Sequence, residues 1–431
     1  MSNAGSLGPS GRRPRVLMSA YACGPGQTSE PGAGWQLARA AAVENEVWVI
    51  TRHRFREAVT AELAEQPALA RWLHPVYIDL PEPVLKRKTK HRDVYWYYPL
   101  WQFAAGKKAR DLHASIGFDV LHHATFATDW MPCGLVPLAR QVPLVWGPVG
   151  GCTYTPRAAR KWLGPGAAVN DVLRETATKA VRRVFGDRTA RAAQLTIGMN
   201  SDTLRRYARH GLVICAPNVV AEPMSGGDLG EKVVDGDKGQ SRRHAVFVGR
   251  LVSWKGTRLA LHALARPEAS GWHLQVIGEG PEREWMEREV RRLGIDGRVA
   301  FHGQLPVKEV QAIFASSDAM LFPSLHDSAS WAVAEATAAG LPVICLAAGG
   351  PPEVAGPYAH AVPLTGDIPR LLAAELASVA GDRVVRRPSA RWSAQRLPAQ
   401  VSSWYRMVLG DEHQPPGTPS ATRPERVGKG E

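Results

Sequence analysis

The segment Gly249-Arg250-Leu251-Val252-Ser253-Trp254-Lys255-Gly256 places two cations between a run that reads as a strand and one that reads as a helix. There Arg250 and Lys255 are expected to converge, together with free helical N–H groups, on a single anion, and a diphosphate suits that arrangement. A helix end alone favours an anion by only about 0.3–1 kcal/mol, so selectivity must come from the cations. After the next strand-like run comes Gly278-Glu279-Gly280-Pro281, a tight turn that reads either as a ligand contact or as an ordinary connection. Further on, Pro323-Ser324-Leu325-His326-Asp327-Ser328 precedes Glu335, which stands among Val333, Ala334, Ala336 and Ala338. Carboxylates accept paired hydrogen bonds from vicinal hydroxyls, each contributing about 1.5–3 kcal/mol when charge-assisted. Asp327 and Glu335 can thus face one polyhydroxylated ligand, a ribose or a hexose. The loop Ala348-Gly349-Gly350-Pro351-Pro352-Glu353 can bring bare backbone N–H groups close to phosphate oxygens.

The amino-terminal half offers weaker signals. Cys23-Gly24-Pro25-Gly26-Gln27-Thr28-Ser29-Glu30-Pro31-Gly32-Ala33-Gly34-Trp35 follows the first strand-like run, and its glycines permit close backbone approach. Trp146-Gly147-Pro148-Val149-Gly150-Gly151 follows a later one. His122 and His123 end another. A strand sends adjacent side chains to opposite faces, so only one of them can face a cleft, and the sequence does not say which.

The elements that must position these residues are short apolar runs alternating with stretches of helical periodicity, which suits strands buried on both faces of a parallel sheet. They run from Val16 to Met199, lapse between Ala221 and Arg243 into Gly, Asp, Ser and Lys, and resume from Ala245 to Leu346. This predicts an α/β chain: residues 12–222 as one doubly wound, Rossmann-like domain, 223–243 as a linker or loose loop, and 244–390 as a second such domain. A closing helix is expected over 391–410 and a disordered tail over 411–431. The ligand cleft of such a pair lies where the carboxyl ends of the two sheets face each other.

With 431 residues, 45% of them hydrophobic and 22% charged, the chain is too long for one small module and too apolar for a disordered one. The five cysteines are odd in number and too scattered for a CxxC metal pair, which argues against a disulfide framework and for a reducing compartment. No metal site and no cofactor are expected. No run approaches a membrane span or a signal peptide, so a cytoplasmic enzyme is expected, at most resting on the inner face of the membrane. The net charge of +13 gathers at Lys86-Arg87-Lys88-Thr89-Lys90-His91-Arg92 and between Arg157 and Arg191, stretches that read as solvated surface or as anion-attracting patches. The aromatics Tyr95, Trp96, Tyr97, Tyr98, Trp101 and Phe103 that follow read as core first, and second as a face for anionic membrane or for an acceptor. No nucleic-acid partner is expected.

In their order and at these strand ends, Gly249-Arg250-Leu251 with Lys255-Gly256, Gly278-Glu279-Gly280, Phe301-His302-Gly303, Asp327 with Glu335, and Gly340-x-Pro342-Val343 resemble the donor domain of retaining family-4 glycosyltransferases of the GT-B fold. Ser29 to Trp35 and Gly147 to Gly151 are similar to the SEPGxGW and GPVGG motifs of one branch of that family. The resemblance implies transfer of a sugar, with retention and without a metal, from a nucleotide-diphosphate sugar to an acceptor hydroxyl on a saccharide, glycolipid or small metabolite. It implies that Arg250 and Lys255 hold the diphosphate, Glu335 the ribose and Asp327 the transferred sugar, with one of His122 and His123 near the reacting centre. Gly249, Gly278, Glu279, Gly280, Ser328, Gly349, Gly350, Gly32 and Ala33 fall on the donor side, and Glu30, Gly150 and Gly151 on the acceptor side. Two departures concern the sugar: the first acid is Asp rather than the family's Glu, and Ser328-Ala329-Ser330 replaces its Gly-Phe-Gly. A nucleotide-sugar epimerase or hydrolase, or a basic membrane- or nucleic-acid-binding protein on a degenerate scaffold, remains as an alternative.

Overall fold

The structure, a computed structural model, describes residues 12–27, 29–224, 242–381 and 386–410. The first sheet comprises β1 (Arg15–Ala20), β2 (Glu46–Thr51), β3 (Leu73–Tyr77), β4 (Val120–Thr125), β5 (Leu144–Val149), β6 (Leu195–Gly198) and β7 (Leu212–Cys215), in the order β3-β2-β1-β4-β5-β6-β7. The second comprises β8 (Arg243–Val248), β9 (Trp272–Ile277), β10 (Val299–Gly303), β11 (Ala319–Phe322), β12 (Val343–Leu346) and β13 (Ala359–Val362), in the order β10-β9-β8-β11-β12-β13. Every strand pairing is parallel, and both orders reverse beside the first strand, which opens a crevice at the carboxyl ends of β1 and β4 and of β8 and β11. This is the GT-B architecture.

Parallel strands in this setting need apolar side chains on both faces, and β1 shows why the runs are continuous. Val16, Met18 and Ala20 enter the core on one face, with Trp35 and Leu37 of α1 (Ser29–Ala42), while Leu17 enters the core on the other. That second core is filled by Tyr97, Tyr98 and Trp101 of α2 (Val94–Ile116). The aromatic run thus divides: these three rings are fully buried, whereas Tyr95, Trp96 and Phe103 are exposed. The second domain is built on one core, which Ala159, Leu163, Val219 and Ala221 of the first half also join.

β7 and β13, the two strands with no sequence signal assigned to them, are the edges of their sheets. His360 interrupts the apolar run of β13, and Leu212 and Cys215 at the ends of β7 are exposed. The closing helix α6 covers Leu397–Leu409 and returns to the first domain, where Val401, Trp404 and Tyr405 join its core. Most of the expected linker and the tail lie outside the described residues. The helices that matter for the cleft are, besides α1 and α2, α3 (Pro165–Val184), α4 (Thr257–Leu264) and α5 (Trp331–Ala338).

Candidate functional site

A cavity of about 930 Å³ opens between the two sheets, within the range of small-molecule sites. One wall carries Glu30, Gly150 and Gly151 with Tyr95 of α2 and Asn170, Asp171 and Arg174 of α3; the other carries Arg250, Trp254, His326, Asp327, Ser328 and Trp331.

On the second wall β8 ends at Val248 and the chain turns through a short 3-10 segment, Ser253–Lys255, into α4. Gly256 joins the two with φ +80°, and a Cβ there would lie 1.9 Å from the Pro323 carbonyl oxygen, so only glycine lets this turn press against the exit of β11. The Trp254 carbonyl accepts from the Leu325 N–H at 2.8 Å and from the Ser324 hydroxyl at 3.1 Å, which fixes the two loops together. As a result Lys255 Nζ stands 2.5 Å from Asp327 Oδ2. Burial raises the Asp327 pKa while Lys255 pulls it partly back. Arg250 is exposed and lies over the Trp254 ring, its guanidinium carbon 5.4 Å from the ring centroid. The expected convergence of both cations on one anion is therefore not what this state shows: Lys255, which does not line the cavity, already faces a carboxylate, and Arg250 on the wall pairs with none among the described residues.

Glu335 does not line the cavity. It lies one turn beyond Trp331 on α5, and burial among its small neighbours pushes its pKa up to about 7. Asp327 and Glu335 thus occupy different depths rather than flanking one point.

Other residues read as ligand contacts have structural work. A Cβ on Gly278 would lie 2.1 Å from the Gly249 oxygen, and one on Gly280 would lie 2.3 Å from the Leu251 oxygen, so these glycines let two turns pack together. Glu279 pairs with Arg283 at 3.3 Å, and none of the three lines the cavity. In the Gly349-Gly350 loop the Gly350 N–H donates to the Asp327 carbonyl at 2.8 Å, and so is not bare; the loop clasps the segment that carries Asp327 and Ser328. Gly32 and Ala33 lie buried in the first turns of α1, and a Cβ on Gly32 would come within 3.6 Å of Trp331 across the cleft.

Neither histidine faces the cavity, which corrects the expectation that one must. His122 Nδ1 is 2.9 Å from the Tyr405 hydroxyl and its Nε2 2.8 Å from the Gly147 carbonyl, so this ring ties β4 to α6 and to β5. His123 Nε2 is 3.2 Å from the Tyr98 hydroxyl on the opposite face. Strand alternation holds, but both faces of β4 are core, and burial lowers the two pKa values to about 4 and about 3.

The first wall is held by buried charge. Asp129, fully buried, pairs with Arg182 of α3, which also donates to the Gly151 carbonyl and the Tyr154 hydroxyl. Cys152 Sγ donates to Asp129 at 3.1 Å. Glu30 Oε1 accepts from the Phe126 N–H at 2.6 Å and Oε2 from Asn218 at 2.8 Å, so its carboxylate lines the cavity already engaged. The walls meet where the Gly151 N–H donates to Ser328 Oγ at 3.3 Å and Asn200 donates to the Ser328 carbonyl at 2.9 Å. Among the described residues, no three His, Cys, Asp or Glu are grouped as metal ligands would be.

Reading the sequence missed His326, although it adjoins Asp327: its ring lines the cavity, its Nε2 is buried with no hydrogen-bond partner, and burial lowers its pKa to about 4. It also missed Asn170, Asp171 and Arg174, whose place on the wall follows from the path of α3 over the cleft and has no local signal.

Residues 232–391 match the family model of glycosyl transferases group 1. Over 106 residues, 24% of the chain, it is 38% identical to the 2-deoxystreptamine glucosyltransferase of Streptomyces kanamyceticus, and over 222 residues, 50% of the chain, 29% identical to the 2-deoxystreptamine N-acetyl-D-glucosaminyltransferase of Streptomyces fradiae. These stretches span 27% and 52% of the two relatives' own lengths. Among solved structures, the sucrose-phosphate synthase of Thermosynechococcus elongatus superposes with a TM-score of 0.57 at 18% identity, over 93% of this chain and 100% of that one. An Anabaena protein solved in complex with UDP and glucose gives 0.54 at 17%, over 91% and 99%. At such identities the likeness shows the fold.

Proposed function

We propose that the protein transfers a sugar from a nucleotide-diphosphate sugar to an acceptor hydroxyl, with retention and without a metal ion. The observation that carries this reading is the cavity between the two sheets, with Arg250 and Asp327 on one wall, Lys255 paired to Asp327 behind it, and the Gly150-Gly151 loop on the other wall. A donor diphosphate entering beside Arg250 displaces Asp327 as the partner of Lys255. The released carboxylate then accepts hydrogen bonds from the hydroxyls of the transferred sugar. As the glycosidic bond stretches, negative charge grows on the leaving diphosphate, where Arg250 and Lys255, once Lys255 has left Asp327, stabilise it. The acceptor approaches from the wall of Glu30, Gly150 and Gly151, and the departing phosphate takes its proton on the same face. Glu335, one turn beyond Trp331 and outside the cavity lining, reaches the ribose only if the donor or the start of α5 shifts on binding; burial raises its pKa to about 7.

A panel of nucleotide sugars tested for thermal stabilisation checks the reading, starting with UDP-sugars because the Anabaena neighbour was solved with UDP. A ligand at 100 times its dissociation constant adds about 2.7 kcal/mol. Donor turnover that requires an acceptor, survives a chelator and yields the donor's anomeric configuration supports the proposal. Conversion of donor alone would point instead to an epimerase or hydrolase.

A further inference from the structure

Eight of the fourteen large apolar side chains exposed among the described residues stand on just two helices, α2 and α3. On α2, Trp96, Leu100 and Phe103 recur at spacings of four and three and continue as Lys107 and Arg110, which places all five on one face. Phe103 is 67% exposed. On α3, Val169, Leu173 and Val184 form a similar stripe beside Arg183, with Leu173 63% exposed. The inward faces do the packing: Tyr97, Tyr98 and Trp101 of α2 join a core, with Trp96 of the stripe touching the Tyr97 ring, and α3 packs through Ala167 and Ala168 and through the Arg182–Asp129 pair.

The charge around α2 is one-sided, whereas on α3 Arg174 and Lys179 are paired with Asp171 and Glu175, leaving Arg183 as the cation beside its stripe. Residues 86–110 hold eight Lys and Arg against a single acid, Asp93, so about half of the chain's net charge of +13 sits in 25 residues. Lys86 is matched by Glu82, and Lys88 leans over the Tyr97 ring; among the described residues the other cations of this stretch form no ion pair, and the Asp93 carboxylate accepts from the Thr89 and Lys90 N–H groups. Solvent-facing apolar residues flanked by Lys and Arg, on helices far too polar to span a bilayer, fit an interfacial contact with anionic lipid. A second copy of the chain would bring like charge against like charge and fits this face less well.

We infer that the outer faces of α2 and α3 dock this protein on an anionic lipid bilayer. Both helices also contribute to the cavity wall, through Tyr95 and through Asn170 and Arg174, so the docked face lies beside the cleft. The inference does not depend on sugar transfer, since its readout is lipid binding.

The test is sedimentation of the full chain with vesicles of phosphatidylcholine alone and of phosphatidylcholine with phosphatidylglycerol. The protein should partition onto the phosphatidylglycerol vesicles and be released by salt. The double variant Leu100→Glu with Phe103→Glu should lower the partition coefficient on the order of tenfold or more, and Lys107→Glu with Arg110→Glu by a comparable factor. Both pairs are solvent-exposed, and each variant's melting temperature should match the parent's; if the first pair destabilises the fold, the second carries the test. Absence of binding to either vesicle, equal binding to both, or binding unaffected by both double variants would overturn the inference. So would light scattering that shows a dimer dispersed by Leu100→Glu with Phe103→Glu. A failure to bind any nucleotide sugar would sink the transfer reading and leave the vesicle result untouched.

Discussion

The two walls of the cleft handle charge in opposite ways. On the first wall Asp129 and Arg182 are buried against each other and against fixed backbone and hydroxyl partners, and Glu30 has both oxygens engaged. On the second, among the described residues, Arg250 pairs with no carboxylate and Asp327 has Lys255 as its one ion-pair partner, while behind that wall Glu335 is largely buried with no cation paired to it. A densely paired network positions a loop, even though Asp129 Oδ1 keeps no hydrogen-bond partner among the described residues; a sparsely paired one leaves groups with something to gain from a ligand. The difference assigns support to one wall and chemistry to the other, although the residue types are alike.

Arg182→Ala should break the supporting wall most severely. It leaves Asp129 as a buried charge without its cation, which typically costs about 3–5 kcal/mol, read from urea unfolding. A loss below about 1 kcal/mol would mean that the pair is not holding the wall. On the other wall, Lys255→Ala should leave the fold largely intact but lower turnover on the order of 10²–10³-fold, as for loss of one preorganised donor to a developing anion. Near-normal turnover with the best donor would remove Lys255 from the reaction.

Glu335→Gln sharpens the contrast through pH. Burial raises the native pKa of Glu335 to about 7, so between its unfolded value and pH 7 the folded chain binds more protons than the unfolded one, and stability falls as pH rises across that window. The variant should lack this decline, gaining up to roughly 3 kcal/mol over the parent at pH 8 and nothing at pH 4. It should also bind nucleoside diphosphate more weakly by calorimetry; parallel stability curves with unchanged affinity would show that Glu335 is neither strained nor a ligand contact. Smallest is Ser328→Ala at the seam of the walls, which removes the acceptor of the Gly151 N–H and should cost about 0.5–1.5 kcal/mol in thermal unfolding.

Most of the fold was legible because buried parallel strands announce themselves as continuous apolar runs, and β13 was not because His360 breaks a run of only four residues. The second wall was legible in part, since Arg250, Lys255 and Asp327 follow strand ends at short range. What misled was glycine: Gly278 and Gly280 are required by the approach of the Gly249 and Leu251 carbonyls, a packing demand that looks in sequence like a ligand's. His122 and His123 misled for a related reason, because β4 lies inside its sheet with core on both sides. The α3 contribution to the first wall was beyond reach, since it depends on where a whole helix travels and not on any local spacing.

The return of α6 has a practical consequence. Its Val401, Trp404 and Tyr405 complete a core that begins at Val16, so the first sheet is finished by the last described helix of the chain. A gene cut between the halves would therefore not yield two sound proteins: the front fragment would expose apolar surface, and the rear one would carry an orphan helix. Co-expression of the fragments, with reassembly through that helix, would be the way to recover the molecule from its parts.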